Sequence, residues 1–221
     1  MEFTLLWAAL TAVAMGLVGL RLWSERLPPN AFDRLTGGAL VGLAVGRLTA
    51  LISQGVNPVT NPGDILIVRG GVHTGAATIA FLLTLVWSTR KIPGAIDALT
   101  PAVLLALAGW HAGCLWRGAC LGTASDLPWA WAQPGSLVTR HPTEIYAAIG
   151  LALGAWLVSR LAWQQWLRAG TGLSLAAAVR LVTEPLRPSL TGGPIGWYLA
   201  GLAFGLALLA WAFLDRAHTR T

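Results

Sequence analysis

The stretch Val138–Gly150, VTRHPTEIYAAIG, gathers Arg140, His141, Glu144 and Tyr146 at the threshold of an apolar run that continues to about residue 162. In water this is an ordinary helix start: Pro142 suits a first helical turn and Glu144 complements the positive end of the helix dipole. Beside a bilayer each charge needs a reason, because a mid-membrane Arg costs about 2.5 to 3.5 kcal/mol on insertion scales. The fold therefore turns on whether the run behind this cluster crosses a membrane. Its surroundings say that it does. Of 221 residues, 55% are hydrophobic and 11% charged, less than half the roughly 25% charged content of soluble domains.

Apolar runs of about 18 or more residues read as membrane spans. Seven recur here, at roughly 3–23, 35–54, 71–88, 97–116, 142–162, 171–187 and 194–214. The expectation is an all-α polytopic membrane bundle forming a single transmembrane domain over 1–221. The first run lacks a basic leader and a small-residue cleavage site, so it reads as a retained helix rather than a signal peptide. Basic loops alternate with longer or Gly/Pro-rich ones. Arg21, Arg26 and Arg34 follow the first span, Arg90 and Lys91 the third, Arg160 and Arg168 the fifth, and Arg216 and Arg220 the last. By the positive-inside rule the N-terminus is then outside and the C-terminus cytoplasmic. Trp7, Trp23, Trp87, Trp129, Trp131, Trp163, Trp166 and Trp197 fall near span ends or in loops, as an interfacial belt requires. The net charge of +6 comes from scattered arginines rather than a stripe, which argues against nucleic acid as a partner. Two cysteines are too few for a disulfide framework and fit no common zinc spacing.

With this topology, ionisable residues of five spans fall at one depth, near the outer surface. They are Arg47; His73; His111, Cys114 and Arg117; His141, Glu144 and Tyr146; and Arg180, Glu184 and Arg187. Arg180 and Glu184 stand four residues apart and Arg187 seven from Arg180, so all three share one helix face. That arrangement reads either as an ion pair holding the bundle or as an anion site for a lipid phosphate. Arg47, among wholly apolar neighbours, is expected to face inward. His73 follows a Gly pair; it reads as a packing residue or, neutral beside arginines, as a general base. His111 and Cys114 are spaced i,i+3, a pattern open to packing, thiol chemistry or metal binding.

Together these motifs resemble the prolipoprotein diacylglyceryl transferase family. RHPTEIYAA is similar to that family's H-P-S/T-Q-L-Y-E segment, GGVHTGAA to its H-G-G segment and VGRLTALI to its A-R-L-x-Y motif. VRLVTEPLRP is similar to its R-x-x-x-E-x-x-R-x-P segment. The matches occur in family order over roughly residues 35–200. The resemblance implies an enzyme of the bacterial plasma membrane, its site facing the extracytoplasmic side. It would move the diacylglyceryl group of phosphatidylglycerol to a lipobox cysteine of a prolipoprotein, with no metal or organic cofactor. It places His73 on the essential histidine, and Arg180 and Glu184 on the essential arginine and glutamate. Arg47, Arg180 and Arg187 become phosphate-side cations with His73 as candidate base, and His111, Arg117, His141 and Tyr146 line the substrate site. The chain also departs from the pattern. WHAGCLWRGACLG aligns with the signature G-R-x-G-N-F-x-N-G-E-x-x-G. His111 then takes the arginine position, Cys114 the asparagine and Ala119 the glutamate, while Gly113, Gly118 and Gly122 remain. Arg117 is a candidate replacement for the missing cation. Glu144 and Ala147 stand where Gln and Glu are usual. These departures leave room for a paralogue that uses another acceptor. A non-enzymatic phospholipid or anion carrier is the alternative from another class, and a thiol-redox protein using Cys114 and Cys120 is a third.

Overall fold

The computed structural model describes residues 4–23, 27–60, 63, 71–117, 120–133, 135–162, 166–188 and 193–218. Among them, seven helices of 16 to 24 residues meet the seven expected apolar runs one for one. They are α1 (Thr4–Leu22), α2 (Ala31–Ser53), α3 (Thr74–Thr89), α4 (Ala95–Ala112), α6 (Thr143–Arg160), α7 (Leu167–Thr183) and α8 (Ile195–His218). A four-residue helix α5 (Cys114–Arg117) follows α4, and a 3₁₀ turn, Glu184–Leu186, continues α7. The only described strands, β1 (Trp131–Ala132) and β2 (Thr139–Arg140), form an antiparallel ribbon pairing Trp131 with Arg140 and Ala132 with Thr139. Apart from this ribbon, the regular structure among the described residues is helical. By length and hydropathy, Ala31–Ser53, Ala95–Ala112 and Ile195–Asp215 can cross a membrane, and Trp7–Leu22 and Thr74–Thr89 are shorter apolar helices.

The chain divides into two compact units, Pro28–Ile96 and Met1–Leu27 with Asp97–Thr221. In the first, α2 lies against α3, and the contact depends on a residue without a side chain. A Cβ on Gly46 would come within 2.6 Å of Val72 Cγ1 and 2.7 Å of Ala77 Cβ. The close approach lets the Gly46 carbonyl accept the His73 amide at 3.0 Å. Substituting leucine at Gly46 is expected to force the two helices apart. Overpacking of this kind costs about 1–3 kcal/mol, to be read as a lowered unfolding midpoint in detergent.

In the second unit Leu104, Leu105, Ala108, Leu151, Ala155 and Val158 form the core between α4 and α6, with Met15, Leu175 and Val179 packed around it. Helix α8 is different. Only 11% of its most apolar window is buried, and Trp197, Leu199, Phe204, Leu206, Trp211, Phe213 and Leu214 all point outward. An apolar surface this continuous fits lipid rather than water. At the C-terminal ends of α3 and α6, Arg90 stacks on Trp87 at 3.6 Å and Arg160 lies 5.3 Å from the Trp156 ring, pairs suited to an interface.

One expectation is corrected at the end of α6. Arg168 was expected in a topology-setting loop after the fifth span, but it lies in α7 and is 4% exposed. Its guanidinium donates to the carbonyls of Ser159 at 3.0 Å and Leu161 at 2.6 Å, capping the end of α6. Asp97, 2% exposed, accepts the amides of Trp166 at 2.8 Å and Ala169 at 2.9 Å and so caps the start of α7. Charge is thus buried at both ends of α4, where the sequence reading expected it at one. Two helix termini meet here, and their orphan amides and carbonyls need charged partners.

Candidate functional site

One end of the second unit gathers the charged residues of α4, α6, α7 and the 3₁₀ turn that follows it. Helix α4 ends with His111, α6 begins with Glu144, and α7 with its 3₁₀ continuation carries Arg180, Glu184 and Arg187. Pro185, at the second position of the 3₁₀ turn, prevents α7 from running on as an α-helix. The chain therefore breaks where Glu184 and Arg187 can both turn toward Glu144.

Glu144 is the hub. Its Oε2 lies 2.5 Å from His111 Nδ1 and 3.7 Å from Arg180 Nη1, and its Oε1 lies 3.2 Å from Arg187 Nε. Arg180 Nη2 donates to Glu184 Oε2 at 3.0 Å and to the Tyr198 hydroxyl at 3.3 Å. Arg187 Nη1 reaches Glu184 Oε2 at 3.3 Å. Glu144, Glu184, Arg180 and His111 are all buried. Two arginines face two glutamates, so with a neutral histidine the cluster carries no net charge. Beside it is a cavity of about 270 Å³ lined by Leu121, Thr143, Glu144, Glu184, Arg187, Pro188, Gly193 and Pro194. Gly193 holds φ +75°, and a Cβ there would collide with the Glu184 carboxylate, so the wall can close only on glycine.

The loop between α5 and α6 braces this site. Cys114 and Cys120 form a disulfide. That overturns the reading of Cys114 as a thiolate activated by His111, since neither sulfur is a free thiol. The Cys120 carbonyl accepts the Glu144 amide at 3.3 Å, and the Thr123 amide donates to Leu186 at 2.8 Å. His111 and Glu144 are thereby joined twice, through the side-chain contact and through the disulfide-closed loop.

The other expected site residues fall in different places. His141 and Tyr146 form a separate pair, their rings edge to face with centroids 6.1 Å apart. The Tyr146 hydroxyl accepts the Trp129 indole N–H at 2.8 Å, which docks the ribbon onto α6. Arg117 ends α5, but its side chain is outside the described residues. Arg47 and His73 belong to the other unit and lie on neighbouring segments of it. Arg47, 4% exposed, donates to the Gly71 carbonyl at 2.9 Å. His73 is not inside a helix but caps α3, its Nδ1 accepting the Ala76 amide at 3.2 Å.

Residues 3–217 match the sequence profile of the prolipoprotein diacylglyceryl transferases. The chain belongs to the prolipoprotein diacylglyceryl transferase family. Curated members similar to it include phosphatidylglycerol–prolipoprotein diacylglyceryl transferases of three bacteria. That of Methylobacillus flagellatus is 33% identical over 140 residues, 59% of this chain and 52% of the relative. That of Chlamydia trachomatis is 26% identical over 164 residues, 68% of this chain and 60% of the relative. That of Polaromonas naphthalenivorans is 28% identical over 209 residues, 88% and 74%. Against the first two, the chain spans between half and three-fifths of the relative's length.

Within this chain, two of the departures from the motifs that it resembles lie side by side. His111 stands for the arginine and Glu144 for the glutamine, and these two side chains are in direct contact. Sequence reasoning placed Glu144 in the opening cluster but gave it only a dipole role. Tyr198 it missed. The available signal was that only two tyrosines occur in the chain, and Tyr198 lies one turn into an otherwise apolar helix just after Pro194.

Proposed function

We propose that this chain transfers the diacylglyceryl group of phosphatidylglycerol to the cysteine thiol of a prolipoprotein, or as a divergent paralogue to another acceptor. The observation that carries the reading is the cluster of buried Arg180, Glu184 and Glu144 with the partly exposed Arg187 against a cavity, built on residues similar to the family's R-x-x-x-E-x-x-R-x-P segment. The chemistry needs cations where the phosphate departs and a proton acceptor at the attacking thiol. Arg187 suits the first need because its side chain is 38% exposed and its carboxylate partners are shared. It can exchange a glutamate for a phosphate oxygen without uncovering a buried charge. Arg180, locked by Glu184 and Tyr198, supplies a fixed field. Its Nη1 has no hydrogen-bond acceptor among the described residues, so one buried donor remains for an anion. Arg47 and His73 keep the cation and catalytic-histidine roles that the family resemblance gives them, and His141 and Tyr146 the substrate side.

The same reading places the chain in a bacterial plasma membrane as one domain of seven spans, N-terminus outside and C-terminus cytoplasmic. The site would then face the extracytoplasmic side. The disulfide beside it supports this, since disulfides persist in oxidising compartments. The test is incubation of the chain, reconstituted in phosphatidylglycerol vesicles, with a lipobox peptide, read by mass spectrometry. The expected product is the peptide carrying a diacylglyceryl thioether, with glycerol phosphate released in equal amount. Glycerol phosphate without a lipidated peptide would indicate another acceptor. Lipid binding with every bond intact would leave only the carrier.

A further inference from the structure

We infer, resting on the transfer reaction proposed above, that His111 takes up the proton of the attacking thiol and that Glu144 orients its ring. A neutral imidazole has one N–H and one lone pair, and its neighbours decide which nitrogen holds which. Glu144, facing two guanidinium groups, offers only acceptor oxygens. The 2.5 Å contact therefore fixes the proton on His111 Nδ1 and leaves the lone pair on Nε2. No described residue bonds Nε2, and the side chain keeps 11% of its surface exposed. When the ring takes a second proton, the carboxylate already in contact stabilises the imidazolium, the role an acidic partner plays beside a catalytic histidine.

His73 is wired the opposite way. Its Nδ1 lone pair is occupied by the Ala76 amide at 3.2 Å, so the neutral ring carries its proton on Nε2. In that tautomer His73 donates a hydrogen bond, suited to a phosphate or ester oxygen, and can accept no further proton without giving up the cap of α3. The two histidines thus divide between donor and acceptor.

In the step itself the thiol S–H bond breaks and its proton moves to His111 Nε2. The sulfur pair forms the bond to the glyceryl carbon. The bond from that carbon to the phosphate oxygen breaks, leaving its electrons on the departing glycerol phosphate. The proton then passes from His111 to water. Charged groups facing the ring are Glu144 from α6 and, beyond it, Arg180 on α7 with Glu184 and Arg187 after it. The described part of α1, packed along α4, carries only Arg21, at its far end.

The experiment uses the full chain in phosphatidylglycerol vesicles with a lipobox peptide, followed as thioether product between about pH 5 and 9. Substituting His111→Gln keeps a neutral hydrogen-bond partner for Glu144 but removes the base. It should lower kcat by about 10²–10⁴-fold, the usual weight of general-base catalysis, with KM for the peptide within about threefold. The acid limb of the pH profile should disappear, while Glu144→Gln slows turnover and retains a limb. Added imidazole should partly restore a His111→Gly variant, which a merely structural histidine would not allow. A His111→Gln chain within about fivefold of the parent, with its acid limb in place, overturns the assignment while leaving the transfer reaction standing. So does loss of the limb in His73→Gln instead. Absence of any thioether product from the unmutated chain overturns the transfer reaction, and this assignment with it.

Discussion

An Arg180→Ala chain is expected to lose both folding stability and any transfer activity. The guanidinium is held by Glu184 at 3.0 Å and by the Tyr198 hydroxyl at 3.3 Å, and its Nη1 lies 3.7 Å from Glu144. Removing it leaves Glu144 and Glu184, 6% and 3% exposed, to share Arg187 alone. Breaking a buried pair by deleting one partner costs about 3–5 kcal/mol, because the stranded charge has no water to return to. Thermal unfolding in detergent should show this directly. The catalytic loss should be about 10²–10³-fold or more, the scale for removing one donor from a site where anionic charge develops. Arg180→Lys separates the two effects. Lysine restores a positive charge but not the fork that reaches Glu184 and Tyr198 together. Stability should recover in part while turnover stays low. An Arg180→Ala chain with the parent's unfolding midpoint and a rate within tenfold would remove the cluster from the mechanism.

Much of the helical frame was legible because each run is apolar over a helix's length, and such a run has few other folded solutions in lipid. The R-x-x-x-E-x-x-R spacing was equally readable, since helix geometry alone puts Arg180 beside Glu184. What could not be read was the partner of each charge across helices. Glu144 looked like a helix-dipole residue because nothing local to HPTE shows that His111, 33 residues earlier, will reach it. The disulfide was hidden for a related reason. A CLWRGAC spacing is compatible with a bridge or with two free thiols, and only the turn of α5 brings the Cα atoms to 4.9 Å. Arg168 was misread because a basic residue between spans usually marks a solvated loop. Here it lies in the first turn of α7, its guanidinium held on the Ser159 and Leu161 carbonyls at the end of α6.

The buried charges beside the start of α7 carry the second large effect. Replacing Asp97 with alanine should destabilise the chain by about 3–5 kcal/mol. It strands the amides of Trp166 and Ala169, at about 1–3 kcal/mol for each unsatisfied buried group. It also withdraws a carboxylate from the surroundings of the buried Arg168. The Asn variant retains a carbonyl that can accept one amide, so it should fall between alanine and the parent. Since Asp97 lies in the first turn of α4 and His111 in its last, the Asp97 variants separate the demands of the fold from those of the reaction. Protein that survives folding should keep the parent's pH profile and its KM for peptide, with the loss confined to yield and unfolding midpoint. A changed pH profile in folded Asp97→Asn would mean that α4 transmits strain from its first turn to the imidazole in its last. The two buried charge clusters would then be one coupled device rather than an anchor and a site.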